Sequence, residues 1–220
     1  MTQEEDSLTT PTNPPRWRRA HEKYVGLLAD GLTRRGSPPN YVTWLSILPA
    51  FASLVFAARG AFPLAIVMML FSGLCDMLDG AMARRGGMTT TFGALLDSTL
   101  DRFADAAPLL GLVVYWDGRP FPALIASLAA FAGYSVSYVR ARAEGLRIAL
   151  PSLWMRRTER LILTGVGLLL APIGIPGVVT PAPLTLAVVA LLGVLSLAAA
   201  GHALIVAARL TRDMTRQGGQ

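Results

Sequence analysis

The sequence predicts an all-α, polytopic membrane protein with six transmembrane helices and an N-terminal interfacial amphipathic helix. Three observations carry that prediction. Of the 220 residues, 53% are hydrophobic and 15% charged, whereas an ordinary soluble domain carries roughly 25% charged residues. Mean hydropathy is +0.48. Apolar runs recur at about 41–58, 62–80, 94–116, 121–143, 159–177 and 182–208, each close to the ~20 residues that a helix needs to cross the hydrocarbon core. The connecting segments, finally, alternate in charge.

The breakers fall between the runs. Arg59-Gly60, Asp117-Gly118-Arg119-Pro120 and the Pro/Gly-rich stretch 172–183 mark one side, and Arg85-Gly86-Gly87 and the segment 147–157 mark the other. Of the 20 Lys and Arg residues, only Arg59 and Arg119 fall in the first set of loops. The positive-inside rule therefore predicts a cell-membrane protein with both termini, the Asp-rich turn and the loop between spans four and five in the cytoplasm.

The expected organisation along the chain is a tail at 1–15, an amphipathic helix at 16–36, a transmembrane domain at 37–210 and a cytoplasmic tail at 211–220. The first segment is acidic, polar and Pro-containing, without the basic start and short apolar core of a signal peptide, and reads as disordered. In the second, Trp17, Tyr24, Leu27, Leu28 and Leu32 share one face and Arg and Lys hold the other, as suits a helix resting on anionic headgroups. The single cysteine, Cys75, excludes an intramolecular disulfide. His21 and His202 are isolated, so no His-based metal site is expected. The net charge of +6 is accounted for by topology, and no nucleic-acid partner is expected.

Chemistry concentrates between Asp76 and Asp101. Asp76 and Asp79 stand i,i+3 and Asp97 and Asp101 stand i,i+4, so each pair occupies one helical face. Two such faces opposed across a short turn would bring four carboxylates together. An ionised residue at the centre of a membrane helix costs ~2.5–3.5 kcal/mol, so four unpaired aspartates would cost roughly 10 kcal/mol or more. Divalent cations would offset that cost, and an all-oxygen donor set selects hard ions such as Mg²⁺, Mn²⁺ or Ca²⁺. Ion pairs with Arg84 or Arg102, or a water-filled cavity, would serve as well. Gly80, Ala83, Gly93 and Ala94 leave space between the helices, for a ligand or for close helix packing. A metal or proton transporter is a rival reading of the same acids, but it needs a polar route through the whole bilayer, and these acids gather near one turn.

The run Asp76, Asp79, Gly80, Ala83, Arg84, Gly93, Asp97 and Asp101 resembles the signature of the CDP-alcohol phosphotransferases, D-x2-D-G-x2-A-R-x8-G-x3-D-x3-D, at every fixed position. The resemblance implies a six-helix membrane enzyme, usually a homodimer, that transfers a substituted phosphate from a CDP-linked lipid to an alcohol and releases CMP. It implies Asp76, Asp79, Asp97 and Asp101 as ligands of Mg²⁺ or Mn²⁺, two ions in all, with Asp101 also the general base. Gly80, Ala83, Arg84 and Gly93 would shape the nucleotide pocket. A silent scaffold of the same fold would not need the signature intact. Upstream, the segment 37–43 resembles the family's approach to its first span, so that Asn40 and Thr43 would contact the CDP moiety or else cap a helix.

The segments 133–147 and 156–163 resemble the inositol-phosphate-using subset, the phosphatidylinositol phosphate synthases and their archaetidyl relatives. That likeness implies a cationic pocket of Arg140, Arg157 and Arg160 for the phosphate of the acceptor, with Ser137 and Arg142 nearby. Arg140 stands where lysine is common in the subset, Arg156 where an acid is common and Thr158 where proline is common. Arg140, Arg142, Arg147, Arg156, Arg157 and Arg160 also cluster at one connection, more than orientation alone demands. Guanidinium forks suit phosphate oxygens. A CDP-diacylglycerol donor and inositol 1-phosphate are the expected substrates, with glycerol 3-phosphate the next acceptor.

Overall fold

A computed structural model describes residues 25–31, 39–87, 89–152, 154–174 and 182–217. Every regular element among them is helical: α1 (25–31), α2 (Pro39–Ala58), α3 (Phe62–Arg85), α4 (Thr91–Tyr115), α5 (Pro120–Gly145), α6 (Arg157–Leu169) and α7 (Pro183–Gln217). The tail at 1–15 and most of the expected amphipathic helix, including Trp17, Tyr24 and Leu32, lie outside the described residues. In the part that is described, Leu27 and Leu28 are exposed, Ala29 is buried in a cluster with Val42, Cys75 and Met82, and Asp30 pairs with Arg85 at 2.7 Å.

Local sequence explains the helix ends. Gly60 takes φ +73° in the turn from α2 to α3, a conformation that costs glycine little. Proline stands in the first turn of α3 and of α5, where its missing N–H removes no helical bond. The Thr90 side chain accepts from the Gly93 N–H at 2.9 Å, capping α4.

α2 packs against both α3 and α4, α5 pairs with α7, α4 joins the two sets through α5, and α6 lies on α7 and reaches α3 and α4. The α2–α4 crossing depends on Gly111. A Cβ there would lie 2.4 Å from the Leu54 carbonyl oxygen and 2.7 Å from the Ala57 Cβ. Hydrogen bonds cross between helices as well: Ser53 Oγ donates to the Ala65 carbonyl at 2.9 Å, Ser72 Oγ to that of Ser46 at 3.0 Å and Thr185 Oγ1 to that of Gly167 at 2.8 Å. Small residues and hydroxyls of this kind hold helices together where lipid supplies no hydrophobic contrast. Leu112, Trp116, Leu168 and Leu192 fill the core, and Phe62 meets Tyr115 edge to face at 5.0 Å. Around the outside, Phe51, Leu70, Phe121, Phe131 and Val194 stay exposed, the pattern of an apolar surface made for lipid.

Four of these helices are long and apolar enough to cross a membrane: Tyr41–Ala58, Phe62–Arg85, Pro120–Gly145 and Pro183–Arg212. The third and fifth expected spans differ for separate reasons. α4 has 25 residues, about 37 Å at 1.5 Å per residue, but the stretch from its first turns to just past its middle carries Asp97, Asp101, Arg102 and Asp105. The fifth segment, expected over 159–177, is helical only over the 13 residues Arg157–Leu169, about 20 Å. Pro172 lacks an N–H and disfavours helical geometry at Ala171, and the chain turns at 170–172.

Candidate active site

The polar groups gather at one end of the bundle, beside the α3–α4 and α5–α6 connections. α3 delivers Asp76 and Asp79 one turn apart. α4 delivers Asp97, Asp101 and Asp105 on three successive turns of one stripe. One carboxylate oxygen from each of Asp76, Asp97 and Asp101 falls within 4.8 Å of the others. Asp79 is not part of that trio. Its side chain is 3% exposed and neither oxygen has a hydrogen-bond partner. It borders a cavity of about 170 Å³ together with Thr43, Gly80, Arg84, Gly93 and Asp97.

A second cavity, of about 280 Å³, shares Asp97 with the first and is lined also by Asp101, Ser137, Arg140, Arg157 and Arg160. Two of its arginines reach into the carboxylates. Arg157 Nη1 lies 2.6 Å from both Asp76 Oδ2 and Asp101 Oδ1, and its Nε donates to Asp105 Oδ1 at 3.1 Å. Arg160 Nη2 donates to Asp105 Oδ2 at 2.6 Å and to Ser137 Oγ at 3.2 Å, and Nη1 donates to the Met155 carbonyl at 3.1 Å. Both sit in the first turn or so of α6, where unpaired N–H groups and the helix dipole already favour negative charge.

Most of the residues predicted from sequence line one of these two cavities. Asp76 belongs to the trio and lines neither cavity, and Arg142 and Arg147 are exposed and line neither cavity. Asn40 stands in the first turn of α2. Gly80 sits beneath Arg84, whose Nη1 would be 3.0 Å from a Cβ at that position. Among the described residues Asp76 and Asp101 pair with Arg157, in place of the Arg84 or Arg102 expected from sequence; Arg102 instead donates to the Ser98 carbonyl of its own helix. Asp105 escaped the sequence reading altogether. Its signal is the i+4 step from Asp101, which continues the spacing of Asp97 and Asp101.

The donor set fits hard divalent cations. Three carboxylates lie close enough to share them, and the buried oxygens of Asp79 form no well-made hydrogen bond that would offset their charge.

A helical membrane bundle with an acidic cluster between two polar cavities defines a class of enzyme that works on charged substrates at the lipid boundary. The chain belongs to the CDP-alcohol phosphatidyltransferase family, whose model matches residues 37–208, and it is accordingly a transferase. It is 37% identical over 168 residues to a phosphatidylinositol phosphate synthase of Streptomyces avermitilis, covering 72% of this chain and 68% of that protein. It is 38% identical over 141 residues to an archaetidylinositol phosphate synthase of Methanothermobacter thermautotrophicus, covering 64% and 69%. Among solved structures, the phosphatidylinositol phosphate synthase of Mycobacterium tuberculosis with CDP-DAG bound superposes with a TM-score of 0.74 at 30% identity, covering 84% of this chain and 94% of that one. The same enzyme in complex with manganese and citrate gives 0.73 at 32% identity, covering 83% and 88%.

Proposed function

We propose that the chain transfers a phosphatidyl group from a CDP-diacylglycerol-type lipid to a phosphorylated polyol, inositol 1-phosphate foremost, giving phosphatidylinositol phosphate and CMP. The carrying observation is the pair of cavities that share Asp97, one acidic and floored by small residues, the other bordered by Asp101 and walled by Arg140, Arg157 and Arg160. The names of the relatives and of the solved neighbours support the same reading.

In this reading Thr43, Gly80, Ala83, Arg84 and Gly93, with Asn40 alongside, receive the CDP moiety. Gly80 and Gly93 leave room for it, and Arg84 neutralises phosphate charge. Asp76, Asp79, Asp97 and Asp101 would hold two ions, Mg²⁺ or Mn²⁺. When bound, such ions polarise the diphosphate and stabilise both the attacking and the leaving oxygens of an in-line displacement. Asp101 borders the arginine-walled cavity as well as the trio, the right place for a general base that takes the proton of the acceptor hydroxyl as it attacks. Arg140, Arg157 and Arg160 bind the acceptor's phosphate and so turn its hydroxyl toward the donor. The apolar outer surface leaves the acyl chains in lipid while the head group reaches the polar end.

The transferase domain is 37–210. It crosses the cell membrane six times, α4 and α6 completing the four apolar spans, with both termini and the site in the cytoplasm, and it works as a homodimer.

Purified enzyme given CDP-diacylglycerol, Mg²⁺ and a panel of inositol 1-phosphate, glycerol 3-phosphate, free inositol and serine should release CMP fastest with inositol 1-phosphate. Turnover led by glycerol 3-phosphate would move the chain to phosphatidylglycerophosphate synthesis, and no CMP from any acceptor would end the proposal.

A further inference from the structure

We infer that Asp105 is a positioning residue for acceptor recognition, a carboxylate clip that sets two arginines at the spacing a phosphate monoester requires. The inference deepens the reading above and rests on it. Asp105 follows the last signature aspartate by one helical turn and is outside the signature. Its two oxygens serve different arginines: Oδ1 accepts from Arg157 Nε at 3.1 Å and Oδ2 from Arg160 Nη2 at 2.6 Å. The side chain is 16% exposed, and that of Arg160 is 9% exposed.

Two guanidinium groups side by side repel each other, and each has many rotamers to lose. A shared carboxylate removes both difficulties, because it offsets part of the charge and fixes both planes through directional, charge-assisted bonds. Arg160 is pinned further by Ser137 and the Met155 carbonyl, so it forms the fixed half of the clip. Arg157, gripped at Nε, has its Nη1 directed to Asp76 and Asp101. Over its whole lining the 280 Å³ cavity sets five arginines against Asp97, Asp101, Asp105 and Glu144, one positive charge in excess, the sign that a phosphate monoester needs. The clip also ties the acceptor wall to α4, the helix that carries Asp101, so the phosphate is registered against the base.

The test is steady-state kinetics on Asp105→Asn and Asp105→Glu in the full-length enzyme, varying inositol 1-phosphate and CDP-diacylglycerol separately, with inorganic phosphate as a competitive probe of the acceptor site. For Asp105→Asn the acceptor KM and the inhibition constant for phosphate should both rise roughly 10–100-fold, with donor KM unchanged. Asp105→Glu keeps the charge on a longer arm and should recover part of the loss. Acceptor KM within twofold of wild type in both variants overturns the inference, and so does a parallel rise in donor KM, which is the mark of general damage. Should the Asn variant not be recovered folded, the Glu variant decides by the same two readings. A wild-type enzyme equally active with free inositol is a different result: it removes the phosphorylated-acceptor reading itself, before any variant is compared.

Discussion

Asp76 and Asp101 touch the same guanidinium nitrogen from different helices, yet in the proposed reaction they do different work. Asp76 joins the trio from α3 and borders neither cavity, whereas Asp101, also of the trio, faces the arginine-walled cavity. Asp101→Asn should therefore lower kcat by about 10²–10⁴-fold, the range for losing a general base, while donor binding is largely kept. Asp76→Asn should weaken donor binding as well. Calorimetric titration of each variant with a CDP-lipid in Mg²⁺ separates the two, and equal loss of binding in both would refute the division of labour. At this scale the sequence was informative wherever spacing alone sets geometry. The i,i+3 and i,i+4 pairs oriented themselves, and the eight-residue signature was legible as it stood. Arg157 as partner of Asp76 was not, because the two residues are 81 positions apart and nothing local records that α6 returns to α3. Asp105 continues the i+4 spacing of Asp97 and Asp101, but it lies one turn beyond the last fixed position of the signature.

Helices were predictable where a single property decides them. The Arg59-Gly60 turn, Pro120 and the polar segment before Thr91 placed four boundaries within a few residues of those observed. The fifth span was expected too long because hydropathy reads Leu170 to Ile175 as a continuation, whereas the backbone obeys Pro172. The tightest crossing, α2 on α4, was also hidden, since Gly111 lies among Leu and Val and carries no polarity to mark it. That crossing holds the helix bearing three aspartates against the helix bearing Thr43. Gly111→Leu would force backbone against side chain and should destabilise the protein by about 1–3 kcal/mol, as overpacking does. Thermal unfolding in detergent would read it, and an unchanged midpoint would mean that the helices separate without cost.

For the whole molecule, the proposed orientation rests on charge asymmetry, and the chain supplies a clean way to test it. Its only thiol, Cys75, is buried, so a cysteine introduced at an exposed loop should dominate labelling. With a membrane-impermeant maleimide on intact cells, Asp117→Cys should label from outside and Arg147→Cys only after permeabilisation; the reverse pattern would invert the topology. A second global property follows from Asp79, a buried carboxylate that forms no well-made hydrogen bond. Asp79→Asn removes the charge at nearly constant volume and should raise stability by about 1–3 kcal/mol, a midpoint shift of about 2–10 °C for a chain of this length, while activity is lost. Mn²⁺ should raise the midpoint of the native sequence and leave that of the variant nearly unmoved. No gain in the variant would mean that the charge is already balanced by the fold. An anion lodged where folding alone would choose a neutral side chain is a debt carried for turnover, so selection for thermal robustness without selection for lipid synthesis should erase this position early.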